Sequence, residues 1–119
     1  MNTSKQLFTH ISSDGELTLS LVEVDVPKPK AHEIVVKMEA SSINPSDMRP
    51  MFGPANLSKA SLSDDKTTLT APMYPGMLSR IKPRLDQTLP IGNEGAGVVV
   101  AAGDGEQAQA LMGKTVALF

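Results

Sequence analysis

The stretch Leu89-Pro90-Ile91-Gly92-Asn93-Glu94-Gly95-Ala96-Gly97-Val98-Val99-Val100-Ala101-Ala102-Gly103 decides how this chain reads. Its second half is a run of small and β-branched residues, and it predicts a strand over Gly95–Ala102. Glycines 92, 95 and 97 lead into that strand, where such residues let another backbone approach closely. Downstream, Glu106–Met112 has room for one or two helical turns that Gly113 ends. Lys114–Phe119 then reads as a further strand.

Upstream, Glu33–Ser42 reads as a strand centred on Ile34-Val35-Val36. Leu17–Val26 alternates in the strand manner, with Leu17, Leu19 and Leu21 on one face and Thr18, Ser20 and Val22 on the other. A short apolar-rich stretch, Lys5–Ile11, comes before it and runs to Asp14-Gly15, a hairpin-type turn. Pro27-Lys28-Pro29-Lys30 cannot lie inside a ladder and ends the strand. Pro45–Met51 predicts a short helix, opened by Pro45 and limited by Pro50. Gly53–Leu89 is different. Its weak periodicity, its Pro54, Pro72, Pro75 and Pro83, and its many Ser, Thr, Lys and Asp residues predict a long loop or insertion. There is no internal repeat. The expected fold is mainly β, a partly open barrel of about five strands with one or two short helices.

Composition narrows the function classes. A chain of 119 residues makes one domain, burying roughly 65% of its unfolded surface. Phe8, Phe52, Tyr74 and Phe119 are the only aromatics, so a nucleic-acid face built on base stacking is not expected. The formal charge of -2 and the scattered Lys and Arg residues point the same way. No apolar run approaches the length of a membrane span, and Met1–Ile11 lacks a secretory signal. The absence of cysteine excludes disulfides and a thiol nucleophile in this segment. A cytoplasmic protein is expected.

Several motifs mislead. Gly103-Asp104-Gly105-Glu106-Gln107-Ala108 satisfies a loose dinucleotide fingerprint. That fingerprint needs a helix of several turns and a later acidic residue, whereas Gly113 breaks the helix here. Gly113-Lys114-Thr115 resembles the end of a P-loop but lacks its first glycine, Ala108 standing there. His10 and His32 have no partners at metal-ligand spacing. Ser41, Ser42 and Ser46 have no local histidine base.

Two segments together are more specific than any of these. Ala40-Ser41-Ser42-Ile43-Asn44-Pro45-Ser46-Asp47-Met48 joins a strand to a helical turn; 89–103 follows, and then Gly113-Lys114-Thr115-Val116. The order strand, N-P-S-D, loop, P-x-G-x-E-G-A-G-V-V and G-K-x-V resembles the GroES-like N-terminal catalytic domain of the medium-chain dehydrogenase/reductase superfamily. The likeness covers nearly the whole chain outside Gly53–Leu89. In the zinc alcohol dehydrogenases of that superfamily, a cysteine ligand stands where Asn44 is and a histidine ligand where Asn93 is. An amide is a poor zinc ligand beside thiolate or imidazole. The resemblance therefore implies no catalytic zinc, and it falls on the zinc-independent quinone oxidoreductases and enoyl-thioester reductases.

That resemblance implies hydride transfer from NADPH to a conjugated carbonyl acceptor: a quinone, an enone or an enoyl thioester. Residues matching Asn44 and Asp47 lie near the nicotinamide and substrate in those groups. Asn44 would orient either by hydrogen bonding, and Asp47 would fix the turn or polarise a neighbour. The enoyl-thioester reductases also use a tyrosine in the loop after N-P-S-D. Tyr74 is the only one here, and its phenol would stabilise an enolate oxygen. Against these roles stand plainer ones. Asn44 would cap the helix, Asp47 would sit in its first turn, and Tyr74 would pack a loop. A structural role is expected for Asn93 and Glu94.

The dinucleotide would be bound mainly by a Rossmann domain, and none lies within these residues. The segment alone is therefore expected to be inactive, part of a longer protein that forms a homo-oligomer. Its partner would be a small-molecule substrate, with no nucleic acid and no membrane. A free-standing GroES-like module that binds a protein partner is the alternative. It leaves N-P-S-D and G-N-E-G without a purpose.

Overall fold

Ile11 and Leu17 pair across the turn at Asp14-Gly15, and the alternation on either side carries the pairing outward. Residues 2–119 are described by a computed structural model. The first strands are β1 (Thr3–Ile11) and β2 (Glu16–Asp25), an antiparallel hairpin closed by Ser12 N–H to Glu16 O at 2.9 Å. Leu17 and Leu19 are buried, as the alternation predicts, while Leu21 is exposed near the strand's outer end. β3 (Ile34–Ala40) follows the Pro/Lys connection. Helix α1 (Pro45–Phe52) passes Pro50 by two residues before Gly53 ends it.

Gly53–Leu89 differs from the predicted long loop. It contains β4 (Ser61–Leu62), β5 (Thr68–Pro72), the start of β6 (Thr88–Pro90) and three 3-10 turns, at Leu57–Lys59, Leu78–Arg80 and Lys82–Arg84. β5 adds to the free edge of β2, in register from Glu16↔Pro72 to Ser20↔Thr68. The prediction missed this because polar Thr68 and Thr70 mask the period-two row Leu69, Ala71, Met73. The remaining elements are β7 (Gly95–Ala102), the four-residue α2 (Glu106–Gln109) and β8 (Thr115–Leu118).

The chain divides into two units. One comprises Met1–Asp25 and Asn44–Gly92 and holds a five-stranded antiparallel sheet in the order β4-β5-β2-β1-β6. Its core is Ile11, Leu17, Leu19, Ala55, Ala71 and Met73, with Leu7, Met51, Phe52, Leu69, Leu78, Ile81 and Leu85 against it. Half of that central cluster comes from Gly53–Leu89, so this segment is built into the core.

The other unit comprises Val26–Ile43 and Asn93–Phe119 and holds a three-stranded antiparallel sheet, β3-β7-β8. Val99 and Ala108 are its buried apolar side chains. The fold is mainly β with two short helices, as expected. Each sheet is open at both edges, so within neither unit does a barrel close.

Candidate functional site

Asn44 precedes Pro45 in extended conformation, at φ -104° and ψ 150°, which lets it serve as the N-cap of α1. Pro45 then supplies a preset φ at a position whose N–H has no helical partner anyway. Asp47 completes the turn. Its Oδ2 accepts the N–H of Asn44 at 2.9 Å, and its own N–H donates to the Asn44 carbonyl at 2.9 Å. Asp47 is buried and Asn44 half-buried, so the carboxylate fixes the asparagine's backbone from beneath. A negative charge in a first helical turn is also favourable. Two of the three residues expected at the site are therefore adjacent and joined.

Tyr74 is placed elsewhere. Its N–H donates to the carbonyl of Pro54 at 3.1 Å, just past the C-terminal end of α1. Asn44 stands at the other end of a helix about 12 Å long. Tyr74 is about half exposed, at 51%, on an open cavity of about 350 Å³. Asp14, Met73, Pro75, Leu78 and Ser79 line that cavity with it. The charged group on this wall is the Asp14 carboxylate, which has the wrong sign to assist a developing enolate. The structure thus brings Asn44 and Asp47 together and leaves Tyr74 apart.

The second motif lies in the other unit. Asn93 is exposed, and Glu94 Oε1 accepts the hydroxyl of Ser42 at 2.7 Å, tying the approach of β7 to the end of β3. Gly97 lies so close to Lys37 that a Cβ there would run into the Lys37 carbonyl. Gly103 stands in the same relation to the carbonyl of Lys30, and Gly105 to that of Ala31, 2.6 Å from where its Cβ would fall. These glycines serve strand and loop packing. The strands flanking α2 belong to one antiparallel sheet, not to a βαβ unit, so the turn at 103–108 is not the phosphate turn of a dinucleotide-binding βαβ unit.

His10 Nδ1 is 3.2 Å from Thr88 Oγ1 across the β1–β6 pair. Among the described residues, no group of three His, Asp or Glu side chains could hold a metal ion. No helix among them is long and apolar enough to cross a membrane.

One residue that the sequence did not single out stands at the far end of α1. Arg84 Nη2 donates to the Pro50 carbonyl at 2.8 Å, and Nη1 reaches the Arg49 carbonyl at 3.4 Å. Partial burial pulls its guanidinium below the ordinary arginine pKa, yet arginine stays charged at any working pH. No sequence signal marks this arginine, because the carbonyls of Arg49 and Pro50 that it bonds lie far away along the chain.

No protein-family model matches this chain. No curated protein matches it either.

Proposed function

We propose that this chain is the substrate-side domain of a zinc-independent, NAD(P)H-dependent oxidoreductase that reduces a quinone, an enone or an enoyl thioester. The observation that carries the reading is the Asn44–Asp47 turn. An asparagine in the N-P-S-D pattern is held at the start of a helix by the buried carboxylate three residues on. The bond holds the Asn44 main chain, and a neutral side-chain amide carried on a fixed main chain is suited to donate a hydrogen bond to an acceptor's carbonyl oxygen as negative charge develops on it. Fixing it beforehand removes the cost of orienting it during the reaction. Asp47 works through Asn44 and is a positioning residue.

In this reading a separate nicotinamide-binding domain binds the dinucleotide's phosphates. NADPH, when bound, supplies the hydride for the conjugated acceptor. Tyr74 is left out of the proposed site, since it lies past the other end of α1 beside a carboxylate. The reading carries with it a cytoplasmic, homo-oligomeric full-length protein.

The test is NADPH oxidation by a protein joining this chain to its nicotinamide-binding domain, with quinones, enones and enoyl thioesters as acceptors. Turnover with at least one class is expected, and Asn44→Ala should lower kcat by at least about ten-fold. A protein that binds NADPH yet turns over none of the three would contradict the proposal.

A further inference from the structure

We infer that Arg84 is a positioning residue for the Asn44–Asp47 turn. Its guanidinium, anchored on the end of β1, grips the C-terminal end of α1 and so keeps the whole short helix formed. The inference rests on reading that turn as the site; the latch itself does not depend on it.

Helix α1 is weak on its own. It has eight residues and carries Pro50 inside it. A proline there cannot donate to the carbonyl one turn back, and helices this short are marginal on their own. Fraying of the last turn therefore reaches the first within a few residues. The C-terminal end is built to be held. Gly53 adopts φ 53° and ψ -146°, a conformation essentially restricted to glycine. Its N–H donates to the Arg49 carbonyl at 2.9 Å, and the chain turns away there, leaving room for the guanidinium beside the last carbonyls.

Arg84 enters that space with a positive charge, the favourable sign at a helix C-terminus. Besides the carbonyls of Pro50 and Arg49, Nη2 reaches Thr9 Oγ1 at 3.3 Å. Thr9, 1% exposed on β1, donates its hydroxyl to the Met51 carbonyl at 2.8 Å. Three successive carbonyls of α1 are thus engaged from outside the helix.

The arginine's own backbone is fixed as well. Leu85 bridges in parallel to Ile11, and Asp86 N–H donates to the Ile11 carbonyl at 2.8 Å. Asp86 sits in the left-handed region at φ 59°, which aspartate tolerates better than most residues. Its Oδ1 accepts the N–H of Ser13 at 2.9 Å. Arg84 Nε is buried with no acceptor, a cost that the contacts of the two Nη groups must outweigh.

Amide hydrogen exchange tests the latch, read at Asn44 and at Leu21. The Leu21 N–H bonds the Thr67 carbonyl at 2.8 Å in the same unit, away from α1, and serves as the internal control. Arg84→Met should speed exchange at Asn44 by about ten-fold or more while Leu21 is unchanged. Arg84→Lys keeps the charge without the buried Nε donor and should give a smaller rise. Thr9→Val, which removes one acceptor and the Met51 bond, also isolates the latch should Arg84→Met fail to fold. Unchanged exchange at Asn44 in the folded variants overturns the inference, and so does an equal rise at Asn44 and Leu21. If exchange responds but the protein oxidises no NADPH, the latch stands and the reading of the site falls.

Discussion

In the β4-β5-β2-β1-β6 sheet, side chains make the structure; in the β3-β7-β8 sheet, backbones do. The first encloses Ile11, Leu17 and Ala71 almost completely, and the segment Gly53–Leu89 closes over them. The second buries Val99 and Ala108 but leaves Met38, Val100 and Leu118 exposed. What its sequence has instead is glycine, at 97 and 103, where the carbonyls of Lys37 and Lys30 leave no space for a Cβ. One sheet should therefore be broken by making a residue smaller, the other by making one larger.

Met73→Ala probes the first half of that contrast and should have the largest effect. Met73 lies on the segment whose sequence reads as a loop, yet it is 9% exposed within the core cluster. Truncation should cost about 3 kcal/mol in denaturant unfolding. A loss well under 1 kcal/mol would return the segment to the status of a loop lying on the surface. Gly97→Ala probes the second half. Its new Cβ must displace the Lys37 backbone, a crowding cost of about 2 kcal/mol, with exchange protection lost first in β3 and β7. Full retention of protection there would mean that the close approach carries no stability.

The smallest effect belongs at the tip joining β4 to β5. The Ser63 hydroxyl, and then the hydroxyl and N–H of Thr67, donate to Asp65 Oδ1 and hold its carboxyl below the ordinary carboxylate range. A depressed pKa means that the ionised group favours the folded tip. That contribution is complete above the ordinary carboxylate pKa and is lost as pH falls through the lower, folded one. Protection of the Thr67 N–H, relative to its intrinsic exchange rate at each pH, should therefore fall only below about pH 4. Asp65→Asn should abolish this pH dependence while leaving core protection unchanged. A matching loss of protection at Met73 over the same range would show that the tip is coupled to the core.

What could be read in advance follows the same division. The β1–β2 hairpin was legible because Leu17 and Leu19 alternate with polar residues beside Asp14-Gly15. Gly95–Ala102 was legible as a strand with its bounds intact, since glycine, alanine and valine in that order suit little else. Asn44 as a cap before Pro45 and Asp47 in the first turn of α1 were both legible, but the bond that joins them was not. β5 was hidden, because threonine and proline fill its outward positions and the partner strand β2 lies some fifty residues earlier. Arg84 could not be found at all. Its acceptors are carbonyls, which every residue carries, and only the fold selects Arg49 and Pro50.

The central claim is that the Asn44–Asp47 turn meets the substrate. Amide shift mapping of this chain during titration with a short-chain quinone and an enoyl thioester tests it most directly. The account predicts saturable shifts centred on Asn44 and Asp47 that are lost in Asn44→Ala, with Tyr74 and Leu78 little affected. Shifts confined to Asp14, Tyr74 and Leu78, or none at the turn with either compound, would contradict it.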